Sequence, residues 1–377
     1  MPVEKLTTIY SQHTIYLQRL GATEGLKVIP YLESIENDVV AILNKYRKRK
    51  VTLALQMDIQ KQIGDATRKH LQDYTSQLKV ENRALGAYEG EFAASTLNGI
   101  VEADDFKATV PTAAAVNSVA TITPIKLSAN SYTSYSSMMK NYWGKWSDEI
   151  HGVVQAGFLE GSTIPEITNA ITAQMDLSKS GTTKSVLDRA RRSAKQLAIT
   201  GTNHYANTAR IAFVDKNDDI LKGYRFLAVN DSRTSRTCAR LDQTTYLKDD
   251  PKLSSVTPPL HPWCRSALTF DVDDRFKLDP AETKKASSFN VDGKRDPKPI
   301  DSDSIYYENL KELKESDRIA ALGPSLGKAL GQMNATEFAK QTGDSMNNAL
   351  TIKQMRAKNN TLGLILQKQV KQNKSNT

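Results

Sequence analysis

The chain has 377 residues, enough for two or three domains at roughly 150 residues each. Its net charge of +9 excludes an acidic chain and favours contact with nucleic acid or acidic protein surfaces, without choosing between them. No apolar run approaches the roughly 18 residues of a membrane-spanning helix, and the charged start MPVEKLTTIYSQHTIYLQRL lacks a signal peptide's apolar stretch, so synthesis in a cytoplasm is expected.

The first hundred residues read as a helical N-terminal region, 1–100. Val28, Ile29, Leu32, Ile35, Val39, Val40 and Leu43 recur at three- and four-residue steps, which lays one apolar stripe along a helix, with Pro30 at its start. The stripe runs into Arg47, Lys48, Arg49 and Lys50. Four adjacent cations cannot share one helix face, so solvated charge and contact with a polyanion or protein partner are both open readings. A second periodic stretch follows, with His70 among polar neighbours as a surface residue. Residues 101–135 are rich in Ala, Thr, Ser and Val, carry Pro111 and Pro124, and read as an extended linker.

Helical periodicity returns at 136. Trp143, Trp146, Ile150, Val153 and Val154 mark a helix that ends around Gly157–Gly161, and the two tryptophans read as core anchors. Thr163 and Glu166 have capping-box spacing, with Pro165 in the first turn of the next helix. A long helix then carries Leu197, Thr200, Tyr205 and Ala209. Three β-prone runs follow, KGYRFLAVN, TTYL and SALTFDV, separated by turn residues. Strands after helices predict an α+β fold, mainly helical, with a small antiparallel sheet on a helical layer. Residues 275–303 are polar and read as a flexible linker. The remainder, 304–377, reads as a helical, partly disordered basic tail: no acidic residue follows Asp344, whereas Lys353, Arg356 and Lys358 open a cationic run.

Both cysteines, Cys238 and Cys264, lie in one stretch of 41 residues, NDSRTSRTCARLDQTTYLKDDPKLSSVTPPLHPWCRSALTF, together with His261. Four readings apply. HxxC spacing with a third ligand from Cys238 suits a metal such as zinc, but zinc prefers four ligands, leaving Asp231, Asp242 or water for the last place. A disulfide is disfavoured in a reducing cytoplasm. A Cys–His catalyst needs an orienting third group, and no strained nucleophile turn or glycine-rich oxyanion site accompanies this pair. Plain packing would have Pro258, Pro259 and Pro262 stiffen the loop, Trp263 pack, and the polar run NDSRTSR bond the turn backbone.

The composite pattern, an aromatic strand followed by Asp231, Arg233, Thr234, Cys238 and Leu241 and then Pro258, Pro259, His261, Pro262, Cys264 and Arg265, resembles the phage Mu F-like head-morphogenesis family of tailed bacteriophages. VVQAGFLEGSTIPEITNAI and AKQLAITGTNHYANTAR are similar to segments upstream of that motif, and the resemblance extends over roughly residues 136–360, with the family domain itself at 136–274. Many relatives carry two further cysteines; here Ser235 and Ser266 stand in those places. The resemblance implies a non-enzymatic minor head protein of a virion, made in a host cytoplasm and located in the head interior or at the portal vertex. Its implied partners are the portal protein and major capsid or scaffolding proteins, with packaged double-stranded DNA facing the basic segments. It also implies a structural motif in Asp231, Arg233, Thr234, Leu241, Pro259, Pro262 and Arg265, and zinc as the one cofactor to weigh, at Cys238, His261 and Cys264. Two other readings stand beside it: a nucleic-acid-binding module with a zinc-stiffened loop, and a Cys–His enzyme, for which nothing after residue 275 offers a motif.

Overall fold

A computed structural model describes residues 2–46, 52–101, 107–172, 185–276, 284–289 and 297–375. The chain opens with helices α1 (Pro2–Leu26), α2 (Ile29–Tyr46), α3 (Leu53–Asn98) and α4 (Ala113–Ile122), then a two-stranded sheet of β1 (Ile125–Ser128) and β2 (Ser131–Thr133). Helices α5 (Tyr135–Leu159), α6 (Ile164–Thr172) and α7 (Val186–Lys216) follow. The strand-rich part comprises β3 (Leu221–Leu227), β4 (Asn230–Asp231), α8 (Arg236–Leu241), β5 (Thr245–Leu247), α9 (Leu253–Val256), β6 (Ala267–Val272), β7 (Lys284–Ser288) and β8 (Lys298–Asp301). Helices α10 (Tyr306–Lys311), α11 (Glu315–Leu322), α12 (Pro324–Gly331), α13 (Ala335–Gln341), α14 (Ile352–Arg356) and α15 (Thr361–Ser375) complete it. The fold is α+β and mainly helical, as the periodicity predicts.

Two compact units interleave along the chain. One takes residues 18–85 and 133–202; the other takes 1–17, 86–132 and 203–377. The first unit is helical. Leu32, Ile35, Val39 and Leu43 form the buried stripe of α2, and Pro30 sits in its first turn, where a missing N–H costs nothing. Trp146 is buried, but Trp143 is only half-buried, so one of the two tryptophans anchors the core. The Thr163–Glu166 capping box forms: the Thr163 N–H donates to Glu166 at 2.7 Å and the Glu166 N–H to Thr163 Oγ1 at 3.4 Å. At Gly201 an added Cβ would lie 2.1 Å from the Tyr135 hydroxyl. That hydroxyl bonds the Leu197 carbonyl and accepts from Asn82, so the glycine admits a buried polar contact. His70 is half-buried, with Nε2 2.8 Å from Asp38.

In the second unit an antiparallel sheet of order β5-β3-β6 pairs Tyr224 with Tyr246 on one side and Phe270 on the other. Its apolar face joins Tyr10, Leu97, Phe213, Leu241 and Leu260 in one core. The sheet rests on α7 through polar as well as apolar contacts: Asn207 Oδ1 accepts the Leu268 N–H at 2.7 Å, and Asn203 Nδ2 donates to the Ser266 carbonyl at 2.8 Å. Beneath it Arg210 and Glu89, both fully buried, pair at 3.0 Å, and His13 Nε2 meets the other Glu89 oxygen at 2.5 Å.

Three sequence expectations change. Residues 113–122, inside the segment read as an extended linker, form α4: Thr112 caps it by accepting the Ala115 N–H, and Ala-rich composition suits a helix once a cap starts it. The polar segment read as flexible contributes β7 and β8, and β7 pairs in parallel with β4. Phe289 is buried there, but so are Lys285 and Ser287, polar residues matched to polar partners, of which the hydrophobic pattern gave no sign. Residues 304–375 form packed helices and turns, with Tyr307, Leu310, Leu326, Leu330, Phe338, Met355, Leu362 and Leu366 in a core that also takes in Ala239 and Phe289. No described helix is long and apolar enough to cross a membrane.

Candidate functional site: a polar knot with a Cys-His-Cys cluster

The chain leaves β3 and turns sharply at Asn230–Asp231. Asp231 organises the turn, accepting the Arg233 N–H at 3.0 Å. The Arg265 guanidinium, arriving from just before β6, makes a bidentate pair with both Asp231 oxygens. The Thr234 hydroxyl donates to the Val229 carbonyl and lies 3.4 Å from Arg265 Nη2. Burial opposes the Asp231 charge, yet the bond and charge of Arg265, joined by Arg233, hold its carboxyl below the ordinary range. A bidentate fork is the geometry that only arginine supplies. Arg233 itself is a weaker partner, 3.3 Å away with a side chain 60% exposed.

The knot is continued by residues that motif reasoning missed. The Tyr306 hydroxyl donates to the Asp231 carbonyl at 3.1 Å, Ser287 Oγ donates to the Asn230 carbonyl at 3.1 Å, and Asn309 Nδ2 reaches Asn230 Oδ1 at 3.2 Å. Asp242, wholly buried, accepts the Ala228 N–H at 2.8 Å and faces Lys285 at 3.6 Å. Burial raises the Asp242 carboxyl above its usual range, with Lys285 opposing. These partners lie up to 79 positions away in sequence, which is why spacing could not reveal them.

Ser235 caps α8 by accepting the Cys238 N–H, and α8 delivers Cys238 and Leu241 to the core side. The return loop carries a cis Pro258–Pro259 bond and a turn in which the Cys264 N–H donates to the His261 carbonyl at 3.1 Å. Trp263 sits at the third position of that turn with φ +65°, a conformation costing a non-glycine residue on the order of 1 kcal/mol. Its side chain is 43% exposed, so Trp263 does not pack in the core as the sequence suggests.

The turn returns Cys264 to Cys238. Both cysteines are free, and their sulfurs lie 3.7 Å apart; Cys238 Sγ is 3.4 Å from His261 Nε2. The three ligand atoms lie within 4.8 Å of one another. Tetrahedral zinc, with Zn–S about 2.3 Å and Zn–N about 2.05 Å, requires edges of about 3.8 Å between sulfurs and about 3.6 Å from sulfur to nitrogen. Both edges match. His261 Nδ1 lies 2.8 Å from the Pro262 carbonyl, which fixes the other ring nitrogen toward the sulfurs. Neither aspartate joins the cluster, because Asp231 is engaged by Arg265 and Asp242 by Ala228 and Lys285. Hydrogen bonding between the thiols, with burial, drives Cys238 up. Cys264 goes down despite its burial, because Cys238 and His261 stabilise its thiolate. His261 is raised in turn by that thiolate, against its own burial. With Cys264 at 0% and Cys238 at 2% exposure, the sulfurs suit ligation better than attack on a substrate.

The other expected contact residues lie apart from the knot. Lys353 and Lys358 are exposed and Arg356 is half-buried, on and just after α14, and among the described residues none of the three forms an ion pair. Arg47, Lys48, Arg49 and Lys50 lie outside the described residues.

No curated protein and no solved structure matches the chain. A family match covers residues 148–269, from within α5 to within β6, and stops short of the helical tail that the sequence resemblance included. It spans Asp231, Cys238, His261, Cys264 and Arg265, so the Asp231–Arg265 pair and the Cys-His-Cys cluster lie inside a segment that is phage Mu protein F like, while Ser287, Tyr306 and Asn309 lie beyond it.

Proposed function

We propose that the protein is a minor head protein of a tailed phage, acting in head morphogenesis at the portal vertex, with roles in genome packaging or ejection. The observation that supports this most strongly is the coincidence of the family match with the knot. The residues that define the pattern are the ones that tie β3, α8 and β6 together, so what the family shares is a scaffold. A scaffold built around buried thiols and a saturated carboxylate calls for no reaction, and the protein acts as an assembly component. Its partners are the portal protein and major capsid or scaffolding proteins. The exposed cations Lys353 and Lys358, with Arg356 and the Arg47–Lys50 run, face packaged double-stranded DNA or acidic protein surfaces. Cys238, His261 and Cys264 hold zinc, which clips the return loop to α8 and supplies folding stability.

The test is genetic. Deleting the gene from the phage or prophage that carries it is expected to leave lysates without infectious, DNA-filled heads, and expression in trans restores them. Normal yields of filled heads after deletion would overturn the proposal. A second reading, a nucleic-acid module outside a phage head, rests on the same cations. It would show as DNA binding whose affinity falls steeply with salt.

A further inference from the structure

Strand β1 buries Lys126 to 3% exposure, where an ammonium is costly. Its Nζ donates to Asn348 Oδ1 at 2.6 Å, across 222 positions of sequence. Burial holds the Lys126 amine below its ordinary range, with the charge of Asp344 opposing, and so enlarges the neutral, nucleophilic fraction. Asn348 is fixed by the loop after α13. The Asp344 N–H donates to the Asn348 carbonyl at 3.0 Å, and Asp344 Oδ1 accepts the N–H groups of Met346 and Asn348 at 2.9 and 2.8 Å. Asp344 Oδ2 then accepts from Asn348 Nδ2 at 3.1 Å. One carboxamide thus has an amine at its oxygen and a carboxylate at its nitrogen.

We propose that Lys126 and Asn348 join in an intramolecular isopeptide bond, with Asp344 as the proton carrier. The Lys126 Nζ lone pair attacks Asn348 Cγ, and a C–N bond forms. The Asp344 carboxylate takes a proton from the attacking nitrogen and delivers it to Nδ2; the Cγ–Nδ2 bond breaks and ammonia leaves. No oxidant or further reactant is needed. A hydrogen bond alone would satisfy a buried lysine, but it would not require a carboxylate on the departing nitrogen. That placement gives the reaction its acid–base partner in a site from which the amine's water is excluded. The product ties β1 to the loop between α13 and α14, a cross-link that a protein under the mechanical load of packaged DNA can use.

The test is intact mass under denaturing conditions on the purified full-length chain, fresh and after prolonged incubation, with peptide mapping. The expected result is a chain lighter than its sequence by one ammonia, and a branched peptide joining Lys126 to Asn348. Lys126→Arg and Asn348→Ala are each expected to restore the sequence mass, and Asp344→Asn to slow bond formation by about 100-fold or more. Retention of the full sequence mass, with both residues in separate linear peptides, would overturn the proposal. So would loss of ammonia without the branched peptide. A branched peptide forming as fast in Asp344→Asn would overturn the role of Asp344. Peptide mapping of the natural sequence decides the main point even where a variant fails to fold.

Discussion

Replacing Asp231 with alanine removes the carboxylate that Arg265 grips with both guanidinium nitrogens and that also accepts the Arg233 N–H. The two side chains are 12% and 15% exposed, so Arg265 would be left largely buried without its counter-charge. Deleting one member of a buried pair costs about 3–5 kcal/mol, and residual solvent access places this case near the lower end, about 3 kcal/mol. Arg233→Ala is the internal contrast. Its side chain is 60% exposed and 3.3 Å from Asp231, so its loss should cost under about 1 kcal/mol. The pH dependence follows from the lowered Asp231 carboxyl. Its contribution is fully present above the ordinary value of 3.8 and is lost as pH falls below that value through the folded-state pKa. Urea unfolding measures the total, and amide exchange in β3 and β6 reports opening of the sheet itself. A double-mutant cycle with Arg265→Ala should show coupling above about 1 kcal/mol. Equal small costs for Asp231→Ala and Arg233→Ala, with no coupling, would show that the pair does not close the knot.

Other consequences are equally direct. The purified chain is expected to carry one zinc per molecule, lost in Cys238→Ser and Cys264→Ser, and chelation should lower the melting temperature; a metal-free chain that melts at the same temperature would refute the site. Ser266, which stands where many relatives carry a further cysteine, offers a fourth position, so Ser266→Cys is expected to tighten zinc binding, measured by competition with a chromophoric chelator. His204 is buried and, chiefly by desolvation, lowered from 6.5 to about 4; the unfolded chain takes up a proton that the folded chain refuses, so stability is constant above 6.5 and falls as pH drops from there toward 4. At ~1.36 kcal/mol per unit the loss is about 3 kcal/mol, and it should vanish in His204→Gln. Glu89→Ala strands a fully buried Arg210 and should cost about 3–5 kcal/mol in denaturant; a loss below about 1 kcal/mol would show that water reaches the pair.

The sequence made the local features legible. The apolar stripe of α2, the Thr163–Glu166 box, the three strands and the Cys238, His261, Cys264 convergence all follow from spacing or residue type. What stayed hidden was polar and non-local. Lys285 and Ser287 look like linker residues until Asp242 and Asn230 are seen facing them. Glu89 and Arg210 lie 121 positions apart and carry no hydrophobic signature, although together they fill the core beneath the sheet. In residues 113–122 the cap on Thr112 decided the conformation, while the neighbouring prolines and β-branched residues pointed the other way. Trp263 was misplaced because aromatic residues usually pack, whereas here the turn that returns Cys264 to Cys238 sets its backbone and leaves the ring exposed.

The most direct measurement is quantitative mass spectrometry of purified mature particles beside DNA-free precursor heads from the same phage. A few copies of this chain per particle in both is the predicted result, consistent with a component installed during assembly and retained at one vertex. Absence from both kinds of particle would contradict the account.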